Sequence, residues 1–236
     1  MPRVEIAVTD VAGVRVARAA GAHRVELCVA LEVGGLTPSV GLVERAVEAA
    51  GPVGVHVLLR PRPGDFQHDA DEFAVVLRDG WASLDAGAAG LVVGPVRPDG
   101  RLDVDALLRL RELAGDAELT VHRAFDVHPD VERGVQDLLT AGVDRVLTSG
   151  GAACAHDGTA RIARTVAAAA GRVAVTAGGG VRPERIGELV AATGADDVHL
   201  SARRPAAPDE GFGARSVVDP DVVRAAVRAA GAAVPA

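Results

Sequence analysis

Apolar positions along this chain follow two alternating rhythms. Short runs rich in Val, Ile and Leu repeat with a period of two. They are separated by longer, alanine-rich stretches whose apolar residues recur every three or four positions. The period-two runs are VEIAV (4–8), RVELC (24–28), VGVHVLL (53–59), GLVVG (90–94), LTVH (119–122), RVLTS (145–149), VAVTA (173–177) and DVHLS (197–201), and they predict strands. Stretches 39–50, 69–86, 103–114, 129–141, 157–170 and 183–192 predict helices, several opening on Asp, Ser or Pro; 218–231 predicts a last one. A glycine recurs just ahead of strands, in AAGAHRV, DAGAAGLV, TAGVDRV and ATGADDV, where a helix would end.

Eight strands with intervening helices in 236 residues is the pattern and size of an α/β fold, a single parallel (β/α)8 TIM-type barrel spanning 1–236 as one domain. An open doubly wound sheet would carry GxGxxG after its first strand, and that position reads TDVAGV.

Strand alternation then sorts side chains by face. The outer face must be apolar to pack under helices, which assigns Val4, Ile6 and Val8 outward and Glu5 inward. The same rule turns Glu26 and Cys28, His56 and Arg60, Thr120 and His122, Thr176, and finally His199 and Ser201 toward the barrel axis. Barrel interiors are usually filled with branched apolar residues. Two carboxylates, three imidazoles and an arginine inside cost several kcal/mol each when poorly paired, so they point to a site or to a buried ionic network.

Composition narrows the chemistry. The net charge is -7, aromatics are 2% and no basic block stands out, which argues against a nucleic-acid partner. Charged residues or glycines interrupt every apolar stretch, so no membrane span is expected, and Glu5 interrupts any signal-peptide core; the expected location is the cytoplasm. Two cysteines, Cys28 and Cys154, are too few and too far apart for a disulfide framework. All 25 basic residues are arginine. With no lysine, Schiff-base and pyridoxal phosphate enzymes are excluded, and no organic cofactor is expected.

The stretch HVLLRPRPGDF (56–66) sends Arg60 and Arg62 out of the end of a strand. With Arg123 they offer forked donors to a carboxylate or phosphate. Gly178, Gly179 and Gly180, after the seventh strand, could add backbone N–H groups, with Ser201 beside them. Glu26, His122 and Asp126 are candidate acids and bases, although Asp126 could instead orient Arg123. Asp65 reads as a turn residue, and His23, His68, His128 and His156 read as solvated. A zinc or manganese site would draw on His56, His122, His199 and Glu26.

VELC (25–28), GGLTPS (34–39), the histidine-led RPRPGDF (56–66), HRAFD (122–126), RVLTSG (145–150) and AGGGV (177–181) resemble the CutC family, described as copper homeostasis proteins. The motifs fall in order over residues 4–202. The resemblance implies a TIM-type barrel, a cytoplasmic location, a homo-oligomer that is often a dimer, and a copper ion as ligand. Cys28 with His56 and His199 would supply the sulfur and nitrogen ligands that copper implies. Relatives can carry cysteines near the end of the first strand, where this chain reads IAVTD. The alternative reading is an enzyme acting on a small anionic metabolite by Glu, His and Asp acid–base chemistry.

Overall fold

The computed structural model describes residues 1–206 and 216–232. Eight parallel strands close into a barrel in sequence order: β1 (Arg3–Val8), β2 (Arg24–Leu27), β3 (Gly54–Leu58), β4 (Gly90–Val93), β5 (Glu118–Val121), β6 (Arg145–Thr148), β7 (Ala174–Gly178) and β8 (Asp197–Leu200). β8 pairs back onto β1, with Glu5 opposite His199. Helices α1 (Val11–Ala19), α2 (Val40–Ala50), α3 (Ala70–Asp85), α4 (Val104–Ala114), α5 (Val131–Thr140), α6 (Thr159–Ala169), α7 (Ile186–Thr193) and α8 (Pro220–Ala232) follow the strands in turn. The eight predicted strands and seven predicted helices all form. The pattern of the sequence does not anticipate α1 or a small antiparallel hairpin, β9 (Arg203–Pro205) with β10 (Ser216–Val218).

Local chemistry explains the helix starts. Asp10, Ser39, Asp69, Asp103 and Asp130 each accept an N–H from the first turn of their helix. Asp69 and Glu72 complete a reciprocal capping box. The main apolar core lies between sheet and helices: Val4, Ile6, Val8, Val25, Leu27, Leu91, Leu119 and Val121 are buried there, as their outward assignment requires.

Inside the barrel the filling is different. A small apolar cluster of Cys28, Leu58 and Val92 sits among charged side chains. At the amino ends of the strands lies a connected ionic layer. Arg24 bonds Glu5 at 2.5 Å and Glu118 at 2.9 Å; Arg145 bonds Glu118 at 2.8 Å and also pairs with Asp197, which Arg3 meets at 3.3 Å. Buried ions on this scale are tolerated only when each is paired, and these are.

Candidate functional site at the carboxyl mouth

A cavity of about 970 Å³ opens at the carboxyl ends of the strands. Of the residues singled out in the sequence, Glu26, Arg60, His122, Arg123, Asp126, Gly179, Gly180, His199 and Ser201 line it. Arg182, Glu184 and Arg203, which the motifs did not single out as site residues, join them on the rim. Arg62, Cys28, His56 and Gly178 are not part of the lining.

Glu26 is on the floor. It is 6% exposed, and its Oε2 is buried with no hydrogen-bond partner among the described residues. Burial, reinforced by nearby Glu5, raises its pKa to about 7 against the pull of His199 and Arg24. His199 sits beside it, its Nδ1 2.6 Å from Glu5 Oε1. Burial opposes charging of that imidazole, but Glu26 and the bond to Glu5 outweigh it, and the pKa rises. Glu5 is held well below the usual carboxylate range: Arg24 and His199 overcome its burial.

His122 stands on the wall above β5. Burial, with Arg60 nearby, lowers its pKa to about 3, so the ring is neutral at pH 7. Its Nδ1 accepts the Ala124 N–H at 3.0 Å, which places the ring proton on Nε2. The neighbouring strand end makes room for the ring. A Cβ at Gly94 would lie 2.2 Å from His122 Cε1, so no larger residue fits without moving the imidazole.

The two arginines of the RPRP turn part company. Arg60 is 6% exposed and donates to Val33 O at 2.9 Å, Gly35 O at 3.1 Å and Gly64 O at 2.7 Å, with its guanidinium 5.2 Å from the Phe66 ring. These acceptors are carbonyls; no carboxylate among the described residues pairs with it. Arg60 therefore gives the cavity wall a fixed positive charge. Arg62, expected beside it as an anion ligand, turns outward instead. It pairs with Glu72 and with Asp65 at 3.0 Å, and donates to Gln67 O at 2.7 Å. Asp65 pins the turn, as its position suggested.

Arg123 is held by Asp126 at 2.9 Å and donates to Ser149 Oγ at 2.7 Å and Ala152 O at 3.1 Å, and Gly179 lies against its guanidinium, where an added Cβ would be 3.3 Å from Cζ. Asp126, expected as a proton carrier, has its oxygens filled. Thr148 Oγ1 reaches it at 2.5 Å, Ser149 Oγ at 2.8 Å and the N–H groups of Ser149 and Gly151 at 3.2 and 3.1 Å. Five donors from the β6 loop and Arg123 make it an orienting group. Gly179 and Gly180 take φ of 103° and 62°, so the chain turns beside Arg123, with Ser149 and Cys154 packed where side chains would otherwise stand. Gly178 serves packing: a Cβ there would lie 2.5 Å from Leu147.

The sulfur and nitrogen set suggested for copper is not assembled. Cys28 is fully buried, and its Sγ lies 3.8 Å from Val8 O. Burial, with Glu26 nearby, pushes its thiol pKa far up, so it stays protonated. His56 lies lower in the barrel, 3.8 Å from Glu118, with burial and Arg24 lowering its pKa to about 4. Among the described residues, the side chains offering ligand atoms within 4.8 Å of one another are Glu5, Glu26 and His199. Two carboxylates and an imidazole are a poor match for copper(I), which favours sulfur. His128, expected to be solvated, is 1% exposed and packs 3.4 Å from Asp137.

A profile of the CutC family matches residues 2–204. The CutC family protein of Agrobacterium fabrum is 43% identical over 198 residues, covering 84% of this chain and 78% of that protein. The Caulobacter vibrioides relative is 41% identical over 222 residues, covering 93% and 90%. Among solved structures, a protein described as copper homeostasis protein CutC, from Streptococcus agalactiae, superimposes with a TM-score of 0.82 at 28% identity, covering 85% of this chain and 99% of that one. No helix among the described residues is long and apolar enough to cross a membrane. With the barrel, the ordered motifs and these relatives in agreement, the chain belongs to the CutC family.

Proposed function

We propose that this protein is an acid–base enzyme acting on a small anionic metabolite in the carboxyl mouth of the barrel. The observation that carries this reading is Glu26: a buried carboxyl with an unpartnered oxygen, poised near pH 7 on the floor of a large cavity. A group that is half-protonated near pH 7 can both take and return a proton. His199 is its neighbouring imidazole, with an atom within 4.8 Å. His122, neutral with its proton on Nε2, is a fixed donor suited to a developing oxyanion. Arg60 supplies a fixed charge, while Arg123, Gly179, Gly180 and Ser201 are placed to hold an anionic group, with Asp126 orienting Arg123. Cytoplasmic location and homodimeric assembly are carried over from the family resemblance. Two free thiols, Cys28 and Cys154, accord with a reducing compartment.

The test works without first identifying the substrate. Pools of phosphorylated and carboxylated metabolites are incubated with the protein in D2O and followed by proton NMR for deuterium uptake or conversion. The expected result is one responsive metabolite, whose exchange falls about 10²–10⁴-fold in Glu26→Gln. Turnover that survives Glu26→Gln unchanged would reject the assignment.

Copper homeostasis, the description attached to the Streptococcus structure, is a second reading, favoured by family membership. Its weakness is the donor set: the chain's one methionine is Met1, and Cys28 is enclosed. A copper(I) competition titration under reducing conditions should find weak binding that is equal in wild type and Cys28→Ser. Tight stoichiometric binding lost in the variant would restore this reading.

A further inference from the structure

Glu5 is an inward carboxylate that takes no direct part in the acid–base chemistry of the cavity. Its geometry gives it another role. It is 3% exposed on β1, directly opposite His199 in the strand register. One oxygen takes His199 Nδ1 at 2.6 Å and the other takes Arg24 Nε at 2.5 Å. Arg24 is itself fixed at 2.9 Å to Glu118, and Glu118 at 2.8 Å to Arg145. A carboxylate bonded through both oxygens to anchored partners cannot rotate, and while ionised it can only accept. The ring proton of a neutral His199 must then sit on Nδ1, which leaves Nε2 as the available nitrogen.

The surroundings are arranged to match. A Cβ at Gly178 would lie 3.1 Å from His199 Cβ and 3.4 Å from Cδ2, so the ring lies against a strand position without a side chain. Glu5, Glu26 and His199 each offer an atom within 4.8 Å of the other two. The charged groups facing Glu26 and His199 are Glu5 from β1 and Arg24 from β2; Cys28, one residue past β2, faces Glu26, and His56 from β3 faces Glu5.

We propose that Glu5 is a positioning residue of the site: clamped by Arg24, it fixes His199 with Nδ1 protonated and leaves Nε2 to the cavity that His199 lines. Glu26 stands beside this fixed ring, with an atom within 4.8 Å of it, and Glu5 is the ring's anionic support. A carboxylate behind a histidine orients the ring in this way wherever only one of its nitrogens can do the work. The proposal rests on the acid–base reading above for its purpose, but its geometry is tested without any substrate.

The experiment is two-bond proton–nitrogen NMR of the histidine rings in uniformly ¹⁵N-labelled full chain, with His199 assigned by its loss in His199→Gln. Wild-type His199 is expected to show protonated Nδ1 throughout its titration. In Glu5→Gln the fixed tautomer should be lost and the His199 pKa should fall by about one pH unit or more, with Glu5→Asp restoring part of both. A neutral wild-type His199 carrying its proton on Nε2 overturns the proposal outright, so the decision does not depend on any variant folding. An unchanged His199 titration in folded Glu5→Gln overturns it as well. If the NMR result is as expected but Glu26→Gln leaves turnover intact, the acid–base function fails while the positioning geometry stands.

Discussion

Replacing Glu26 with glutamine should make the protein more stable, and by an amount that depends on pH. In the unfolded chain this carboxyl titrates near its ordinary 4.5, whereas in the barrel burial holds the pKa at about 7. Between those values the folded state keeps a proton that the unfolded state has released. Stability therefore falls as pH rises through that window, by about 1.4 kcal/mol per pH unit for one proton. The full difference of about two and a half pH units corresponds to about 3 kcal/mol, present as a penalty above pH 7. Glutamine keeps the shape of the protonated acid and cannot ionise. The His199 pKa, which Glu26 helps to raise, would fall too, and that change has the same sign. Urea unfolding followed by far-ultraviolet circular dichroism, at half-unit steps from pH 5 to 8, gives the wild-type and Glu26→Gln stabilities. Subtracting one from the other cancels, to first order, the titrating groups whose surroundings the substitution leaves unchanged, and His199 adds to the difference with the same sign. The difference should grow in favour of the variant up to about pH 7 and then level off. A difference that stays flat across the range would refute the claim that Glu26 is strained toward neutrality, and with it the main support for an acid–base site.

On the acid side the same linkage runs in the opposite direction. His56 and His122 have folded pKa values of about 4 and 3 against an ordinary 6.5, so the protein should lose stability as pH falls below 6.5, and His122→Gln should flatten that loss in the same unfolding assay. Gly94→Ala should cost about 1–3 kcal/mol and displace the His122 ring, measured by urea unfolding and by the ring's NMR shifts, because the new methyl has no free space. Thiol titration of the native protein should count one reactive cysteine, Cys154, and two after denaturation, since Cys28 is enclosed and its thiolate is disfavoured. Arg123→Met should weaken binding of the responsive metabolite at least about tenfold, whereas Arg62→Met, whose partners are Glu72 and Asp65, should leave calorimetric affinity unchanged.

Much of this is legible in the sequence because a barrel strand obeys one simple rule. Period-two alternation turns Glu5, Glu26, His56, His122 and His199 inward from five independent strands, and each is buried or cavity-lining in the structure. The same rule, extended two residues earlier, reaches Arg24 below Glu26, Arg145 at the start of β6 and Asp197 below His199. Glu118, two positions before Thr120, escapes because the apolar run LTVH begins one residue after the strand does. What alternation cannot supply is height and partnership. It puts His56 and His122 on the same inward surface, but the first sits with the amino-end ions and the second at the mouth. Nor can it show that Arg62 finds Glu72 ten residues away, or that Asp126 collects donors from the β6 loop. His128 looks solvated because it falls at one end of a predicted helix, in a loop setting, whereas α5 closes over it with Asp137. Each miss depends on a partner distant in sequence.

The two ends of the barrel interior differ in how their charges are paired. At the amino end Arg24 and Arg145 interlock with Glu5, Glu118 and Asp197, so each charge meets an opposite one at bonding distance and the layer is electrostatically closed. At the mouth the charges do not balance: Arg60 bonds carbonyls alone and leaves its Nε without a partner, and Glu26 carries an oxygen that nothing among the described residues meets. Unpaired buried groups are costly, and a fold under selection for stability alone would replace them with apolar residues of similar size. Their combination, a fixed cation on the wall and a near-neutral acid on the floor, is complementary to a ligand that brings an anionic group and a labile proton. Glu5 links the two ends, with one oxygen in the closed layer and the other on His199 at the open one. Neutralising Glu5 should therefore register in the His199 titration, whereas neutralising Asp197, which belongs to the closed layer, should register chiefly as lost stability. Comparing Glu5→Gln with Asp197→Asn in both assays separates a site support from a structural ion. Equal effects of the two substitutions on the His199 pKa would show that the interior acts as one undivided network.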